Sequence, residues 1–155
     1  MIQRIQTIWL LLAALTLALM IFFPIAFKET GLTVAEIYTN GLHKAVIGRS
    51  GSGVTVSDFL PLFITNIAVA LMSFANIFNF KRRSVQKKVA ILNIVLIIGF
   101  AFWCSIYAKQ LPGGIDSAKF GVGAYLPAIA ILFIILAIFG INKDERLIRS
   151  AERLR

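Results

Sequence analysis

The sequence predicts an all-α membrane protein with four transmembrane helices. Four apolar stretches, residues 5–27, 59–80, 89–108 and 122–141, contain no Asp, Glu, Lys, Arg or His. An α-helix crosses a hydrocarbon core of about 30 Å with about 20 apolar residues, so each stretch is long enough. Of the 155 residues, 59% are hydrophobic and 15% are charged, whereas soluble domains carry about 25% charged residues. These observations predict a single membrane domain.

The distribution of positive charge predicts the orientation of the chain. If the four stretches alternate in direction, eleven of the 16 Lys and Arg residues fall on one side and five on the other. Basic segments stay on the cytoplasmic face, so both termini and a tight turn over residues 81–88 are expected there. Because the basic residues flank apolar stretches, the net charge of +9 is interpreted as a topology signal, and no nucleic-acid partner is expected.

Prolines and polar residues predict where the helices begin and end. The first stretch is expected to be a retained helix, because its apolar run exceeds the core of about 7–15 residues that signal peptides have. Pro24 should bend or end that helix. Ser57 and Asp58 are predicted to cap helix 2, with Pro61 in its first turn. Pro127 either lies in the first turn of helix 4 or kinks it.

The outer segment, residues 28–58, predicts a small antiparallel meander. Asn40-Gly41 lies between β-prone residues and favours a two-residue hairpin in which both turn residues have positive φ. A second turn is expected over residues 48–53, followed by a short strand over residues 54–56. Isolated hairpins are marginally stable, so this module should lean on the loop 109–121 or on a partner.

The cytoplasmic tail, residues 142–155, has the pattern of an amphipathic extension of helix 4. Opposite charges such as Glu145 and Arg149 are spaced to pair along such a helix. Two interpretations stay open: a self-paired helix on the lipid surface, or a docking surface for a partner. The candidate contacts to lipid or partner are Arg4, Arg82, Arg83, Arg146, Arg149, Arg153 and Arg155.

Polar residues inside the apolar stretches are the main candidate contacts between helices. The candidates are Asn66, Ser73, Asn76 and Asn79 in helix 2 and Asn93 in helix 3. They are interpreted as interhelical hydrogen bonds of about 0.6–2 kcal/mol each. The alternative is a polar cavity or a contact with a partner's helix. The glycines Gly99, Gly121 and Gly123 are predicted to allow close packing.

The residues that metals and catalysis require are scarce. His43 is the single histidine and Cys104 the single cysteine, so no metal site is expected, and Cys104 is predicted to be a buried apolar filler. No nucleophile and base are recognisable as a set, and no cofactor is expected. Ionisable residues near the midplane are typical of pumps and intramembrane proteases, and the four stretches have none.

The two ends of the chain resemble those of a known family. The chain opens with Met1-Ile2-Gln3-Arg4-Ile5-Gln6-Thr7 and Leu10-Leu11-Leu12-Ala13-Ala14, and closes with Lys143-Asp144-Glu145, Arg149-Ser150-Ala151 and Arg153-Leu154-Arg155. These segments resemble a family of small four-helix inner-membrane proteins of Bacteroidota, catalogued as a domain of unknown function. The resemblance implies four helices and a bacterial inner-membrane location. It supplies no activity and no functional residues.

Taken together, these patterns predict a non-enzymatic scaffold or accessory subunit of a larger envelope assembly. Its expected partners are membrane lipids and other membrane proteins, in a setting such as protein export or envelope biogenesis. One alternative is an oligomeric small-molecule transporter or permeation subunit that uses the asparagine-lined face of helix 2. Another is an outward-facing sensor that acts through a separate output protein.

Overall fold

The computed structural model describes residues 3–31, 33–46, 54–111 and 118–152. Within these residues, four α-helices form a bundle and a small antiparallel sheet packs at one end of it. The helices are α1 (Gln3–Leu19), α2 (Leu60–Ala75), α3 (Arg83–Ala108) and α4 (Leu126–Glu152). A 3-10 helix (Asn76–Lys81) continues α2.

Three helical segments are long and apolar enough to cross a membrane: Leu60–Phe80, Arg83–Ala108 and Val122–Leu147. At most 33% of the apolar window of any of them is buried inside the protein, so many apolar side chains point outward. Phe102 and Phe139 are examples, at 70% and 64% exposed. Water solvates such surfaces poorly, and hydrocarbon solvates them well. The bundle is therefore consistent with a membrane location.

The first apolar stretch departs from the predicted helix. α1 ends at Leu19, and its apolar part, Ile5–Leu19, is shorter than the other three segments. Pro24 has no N–H to donate to a continuing helix. The residues after it pair with a neighbouring strand instead. The predicted helix over residues 5–27 is wrong beyond Leu19, although four apolar helices are present as expected.

The sheet has five antiparallel strands in the order β4-β3-β2-β1-β5. They are β1 (Ala26–Thr30), β2 (Thr33–Ile37), β3 (Gly41–Val46), β4 (Val54–Asp58) and β5 (Lys119–Phe120). The predicted antiparallel meander is confirmed, and β1 and β5 enlarge it. β5 pairs with β1, which gives the sheet the support expected from the loop 109–121. The turn predicted over residues 48–53 lies outside the described residues.

The hairpin between β2 and β3 differs from the predicted turn. Tyr38 and Gly41 hydrogen-bond to each other through both backbone groups, so the two loop residues are Thr39 and Asn40. Gly41 does not adopt a positive φ; that conformation occurs at Gly31, whose φ is 60°. Glycine is required at position 41 because the backbone of β4 lies close to it: a Cβ there would be 2.5 Å from the Ser57 carbonyl oxygen.

The boundaries of α2, α3 and α4 correct several further predictions. Ser57 and Asp58 belong to β4 and do not cap α2; Phe59 holds the N-cap position without a side-chain bond. The turn expected over residues 81–88 is not formed. The helical chain is interrupted only at Arg82, and Arg83, Lys87 and Lys88 lie on the first turns of α3. Pro127 is the second residue of α4 and therefore lies in its first turn.

Two apolar cores hold the fold together. The first joins the sheet to the adjacent helix ends and includes Met20, Ile37, Phe59 and Phe100. Phe59 also packs on Tyr107, with ring centroids 4.5 Å apart. The second lies within the helical bundle and comprises Ala13, Leu17, Val69, Ala90, Ile97, Ala130 and Ile134. The sheet is therefore packed against the bundle through a shared apolar core.

Candidate functional site

Each of the four helices presents a stripe of buried residues at alternating intervals of four and three. The stripes are Gln6, Leu10, Ala13 and Leu17 along α1, with Met20 directly after it; Leu62, Asn66, Val69 and Ser73 along α2, with Asn76 at the start of its 3-10 continuation; Gln86, Ala90, Asn93 and Ile97 along α3; and Ala130, Ile134, Ala137, Ile141 and Asp144 along α4. This spacing is typical of helices that pack as in a left-handed coiled coil. The buried polar residues of the helices all lie in these stripes, so they face neighbouring helices.

Two polar contacts join α2 to α3. The Asn93 side-chain amide donates to the Ser73 hydroxyl, and both residues are buried. Nearer the break at Arg82, the Asn76 amide donates to the Gln86 carbonyl at 3.0 Å, and the Gln86 amide donates to the Asn76 carbonyl at 3.3 Å. These contacts support interhelical hydrogen bonding for Ser73, Asn76 and Asn93.

A third polar contact joins α1 to α4. The Gln6 amide donates to the Asp144 carboxylate, and the two residues are 4% and 6% exposed. Asp144 lies in the charged tail, but its side chain bonds across the bundle and not along its own helix. Asp144 lies three residues after the buried Ile141, so the four-and-three spacing is the signal that would have found it.

Asn66 is the predicted polar residue that does not join these contacts. It is fully buried, and neither its Nδ2 nor its Oδ1 has a hydrogen-bond partner among the described residues. Asn79, by contrast, donates to the Asn76 Oδ1 at 3.4 Å. Leaving a buried amide unpaired costs about 1–3 kcal/mol, which makes Asn66 a candidate binding residue.

Asn66 lines an apolar groove between α1 and α2. The groove has a volume of about 330 Å³. Its α1 side includes Ala14, Leu15, Ala18 and Ile21, and its α2 side includes Asn66, Ile67, Ala70, Leu71 and Phe74. From residue 66 to residue 74 it extends about 12 Å along the helix, at about 1.5 Å per residue. The small alanines leave room for an apolar chain.

A second cavity, of about 270 Å³, lies on the sheet. Register places Glu36 in β2 opposite His43 in β3, so both side chains lie on the same face. The Tyr38 hydroxyl donates to Glu36 at 2.8 Å, and its ring meets the His43 ring edge-on at 5.2 Å. Burial, followed by the hydrogen bond and charge of Glu36, raises the pKa of Tyr38 to about 12. Tyr38 therefore remains a neutral donor at physiological pH.

Among the described residues, the predicted basic contacts lie at the end of the bundle opposite the sheet. Arg82 and Arg146 are exposed, and Arg83 is half-buried, with its Nη1 unpaired among the described residues. The side chains of Arg4 and Arg149, and all of Arg153 and Arg155, lie outside the described part of the structure. No group of three potential metal-ligating side chains occurs in the described residues.

Comparison with known proteins places the chain in a family. A family model described as a domain of unknown function (DUF4293) matches residues 2–154. The chain belongs to this family. The match covers nearly the whole DUF4293 chain and confirms the resemblance of its ends to a family of unknown function. A search of the curated proteins found no match.

The polar contacts of this DUF4293 bundle predict opposite effects for two substitutions. Ser73→Ala removes the acceptor of the buried Asn93 amide and is expected to destabilise the bundle by about 1–3 kcal/mol. Asn66→Leu removes an amide that makes no hydrogen bond, and should leave stability unchanged or raise it. Thermal unfolding in one detergent measures both, with Ser105→Ala, at an exposed serine of α3, as the control. Equal effects of Ser73→Ala and Ser105→Ala would contradict the assigned bond.

Proposed function

We propose that this protein is a non-enzymatic, multi-pass protein of the bacterial inner membrane that acts as a scaffold or accessory subunit of an envelope assembly. In this proposal both termini are cytoplasmic, and the sheet lies on the outer face. The partners are membrane lipids and other membrane proteins. Protein export and envelope biogenesis are suitable settings.

The orientation is supported by the distribution of charge around the bundle. By sequence, eleven of the 16 Lys and Arg residues belong to the two termini and the α2–α3 connection, and five belong to the segments at the sheet end. Arg82, Lys88, Lys143 and Arg146 are exposed members of the larger group. Positively charged segments next to apolar helices stay in the cytoplasm, and each one adds about 1 kcal/mol of attraction to an anionic leaflet. The α2–α3 connection and the end of α4 are therefore assigned to the cytoplasmic side.

The scaffold role depends on one observation, the continuation of α4 beyond the uncharged stretch 122–141 to Glu152, a part of the helix called here the α4 extension. α4 runs as one helix to Glu152, and Asp144 on its inner side is hydrogen-bonded to Gln6. On the outer side of this extension, Lys143, Arg146 and Leu147 are exposed. A helix that is fixed on one side and carries free basic and apolar side chains on the other is suited to docking a partner.

The polar contacts weaken the rival transport function. The transport hypothesis requires the polar face of α2 to line a path for solute. Ser73 and Asn76 on that face are hydrogen-bonded to α3, so they are already engaged in packing. Asn66 alone remains, and it lies against an apolar groove. This arrangement favours an interaction protein over a permeation subunit.

Reversal of the exposed charges tests the scaffold proposal. After gentle detergent extraction, the wild-type protein should be recovered with a specific partner, identified by mass spectrometry. The double variant Lys143→Glu with Arg146→Glu is expected to lose that partner without a change in thermal stability, because both side chains are exposed.

Lys44→Glu serves as the control, since it reverses an exposed charge at the sheet end. It should retain the partner. Recovery of the wild type only as a lone monomer, under conditions that preserve other complexes, would contradict the proposal. Equal recovery by the double variant and Lys44→Glu would contradict docking at the α4 extension.

A further inference from the structure

The apolar groove and the sheet cavity meet at one residue. Ile21, in the turn after α1, lines both of them. The groove lies below Ile21 between the apolar faces of α1 and α2, and the cavity lies above it on the sheet. A molecule that occupies both must therefore have an apolar part and a polar part joined near Ile21.

Polarity changes in a definite order from the cavity, past Ile21, to the groove. The cavity carries a carboxylate and hydrogen-bonding groups at Glu36, Tyr38 and His43. Along α2, Asn66 is the first groove residue from the sheet end, about 9 Å from the start of the helix. Every other residue that lines the groove is apolar. Beyond the charged cavity, the α2 wall of the groove is therefore dipolar at Asn66 and then apolar as far as Phe74.

The charge of the cavity selects a cation. Glu36 supplies a negative charge, and one of its carboxylate oxygens accepts a hydrogen bond from the Tyr38 hydroxyl at 2.8 Å. The cavity also lies next to the C-terminal end of α1, where the backbone carries partial negative charge. Lys44, adjacent to His43 along β3, points to the other face by the alternation of strand side chains.

We propose that the groove and the cavity form one binding site for a bilayer phospholipid with an ammonium headgroup, such as phosphatidylethanolamine. The ammonium lies against Glu36 and Tyr38. An ester carbonyl accepts a hydrogen bond from Asn66, and the acyl chain lies along the groove toward Phe74.

Asn66 supports this occupant independently of the charged cavity. Its amide is fully buried and has no partner among the described residues, so it gives up no hydrogen bond when it turns toward the groove. A simple alkyl chain would leave that amide unpaired, whereas a carbonyl near the head of the chain satisfies it. The order headgroup, carbonyl, chain is also the order of a phospholipid.

Lipid retention by native mass spectrometry tests the site without reference to the scaffold proposal. The intact protein is equilibrated in mixed vesicles of phosphatidylethanolamine and phosphatidylglycerol, extracted gently and weighed with its bound lipid. The wild type is expected to prefer phosphatidylethanolamine about tenfold, since a charge-assisted bond contributes at least that factor. Glu36→Gln should bind both lipids equally, and Ala18→Phe should retain neither, because it fills the groove.

Two matched variants serve as controls. Glu29→Gln neutralises an exposed carboxylate of β1, and Ala128→Phe enlarges an exposed alanine of α4. Both should behave as the wild type does. If Ala18→Phe does not fold, Glu36→Gln alone decides the proposal, through the headgroup preference.

Several outcomes would overturn the proposal. They are a preference unchanged in Glu36→Gln, equal lipid retention by Ala18→Phe and Ala128→Phe, and a lipid-free wild type. A lipid-free dimer that Ala18→Phe dissociates would assign the groove to a second copy of the chain and overturn the proposal as well.

Discussion

Gly121→Ala is expected to destabilise the protein by about 3 kcal/mol, at the upper end of what overpacking costs. A Cβ at this position would lie 2.2 Å from the Pro24 carbonyl oxygen and 3.0 Å from the carbonyl carbon. These atoms belong to the backbone and cannot rotate away. Gly121 also donates to the Ile25 carbonyl at 2.9 Å, and Gly123 donates to Pro24 at 2.9 Å. To relieve the clash, the segment that leads into α4 must move away from the segment that leads into β1, and this movement breaks both hydrogen bonds.

Gly99→Ala is the matched control for this prediction. Apart from the backbone of α3 itself, no atom of the described residues lies within 4 Å of a Cβ built at Gly99, so the expected close packing at this glycine is wrong. Alanine is favoured over glycine within a helix, so this variant should gain about 0.5–1 kcal/mol. Gly121 has a φ of −82°, which alanine adopts freely. The difference in stability between Gly121→Ala and Gly99→Ala therefore reports the steric clash at position 121 and not a change in backbone strain. Equal unfolding temperatures for the two variants in detergent would contradict the close approach.

Much of the helical bundle could be predicted from the sequence because its signals are local. A long apolar run in a membrane has no way to satisfy its backbone other than as a helix. The exception is the end of the first stretch, where Ala26 and Phe27 are as apolar as the helix before them. What makes them a strand is pairing with β2 and β5, and β5 lies more than 90 residues later in the chain. Composition alone carries no information about that pairing.

The polar contacts were predictable only in part, for a related reason. Ser73, Asn76 and Asn93 lie inside apolar stretches, where a polar residue indicates a contact between helices. Gln6 and Asp144 lie at or beyond the ends of such stretches, where polar residues are usually solvated, so their position does not indicate a contact. Gln6 and Asp144 are spaced from their buried apolar neighbours by the same four-and-three pattern. The length of such a stripe therefore predicts which helix residues are buried better than the length of an apolar run does.

The cavity lined by Glu36 and His43 could not be predicted from the identity of either residue alone. The two residues meet because β2 and β3 pair in a register that places them opposite each other. A turn at Asn40-Gly41 would keep Glu36 and His43 on one face of the sheet but would place His43 opposite Tyr38 and Glu36 opposite Ala45. The observed turn at Thr39-Asn40 places Glu36 directly opposite His43.

Gln6→Leu is expected to destabilise the protein by about 3 kcal/mol, because it leaves the buried Asp144 carboxylate without its donor. The Gln6 side chain reaches Asp144 by lying across Gly140, where an added Cβ would be 2.9 Å from its Cγ. The double variant Gln6→Leu with Asp144→Leu should recover most of the lost stability, since replacing both partners removes the unpaired charge. A thermodynamic cycle in detergent should give a coupling energy of about 1–3 kcal/mol. Additive effects would show that the two residues do not interact.

This contact also links stability to the proposed docking surface. The Gln6–Asp144 bond is the polar anchor of the α4 extension, so the single variant should loosen residues 143–152 more than the rest of the bundle. Hydrogen exchange measures this directly, and faster exchange confined to the extension is the expected result. Because Lys143 and Arg146 lie on that extension, partner recovery should fall in Gln6→Leu although neither basic residue is changed. Restored recovery in the double variant would show that the partner recognises an ordered helix as well as its charges.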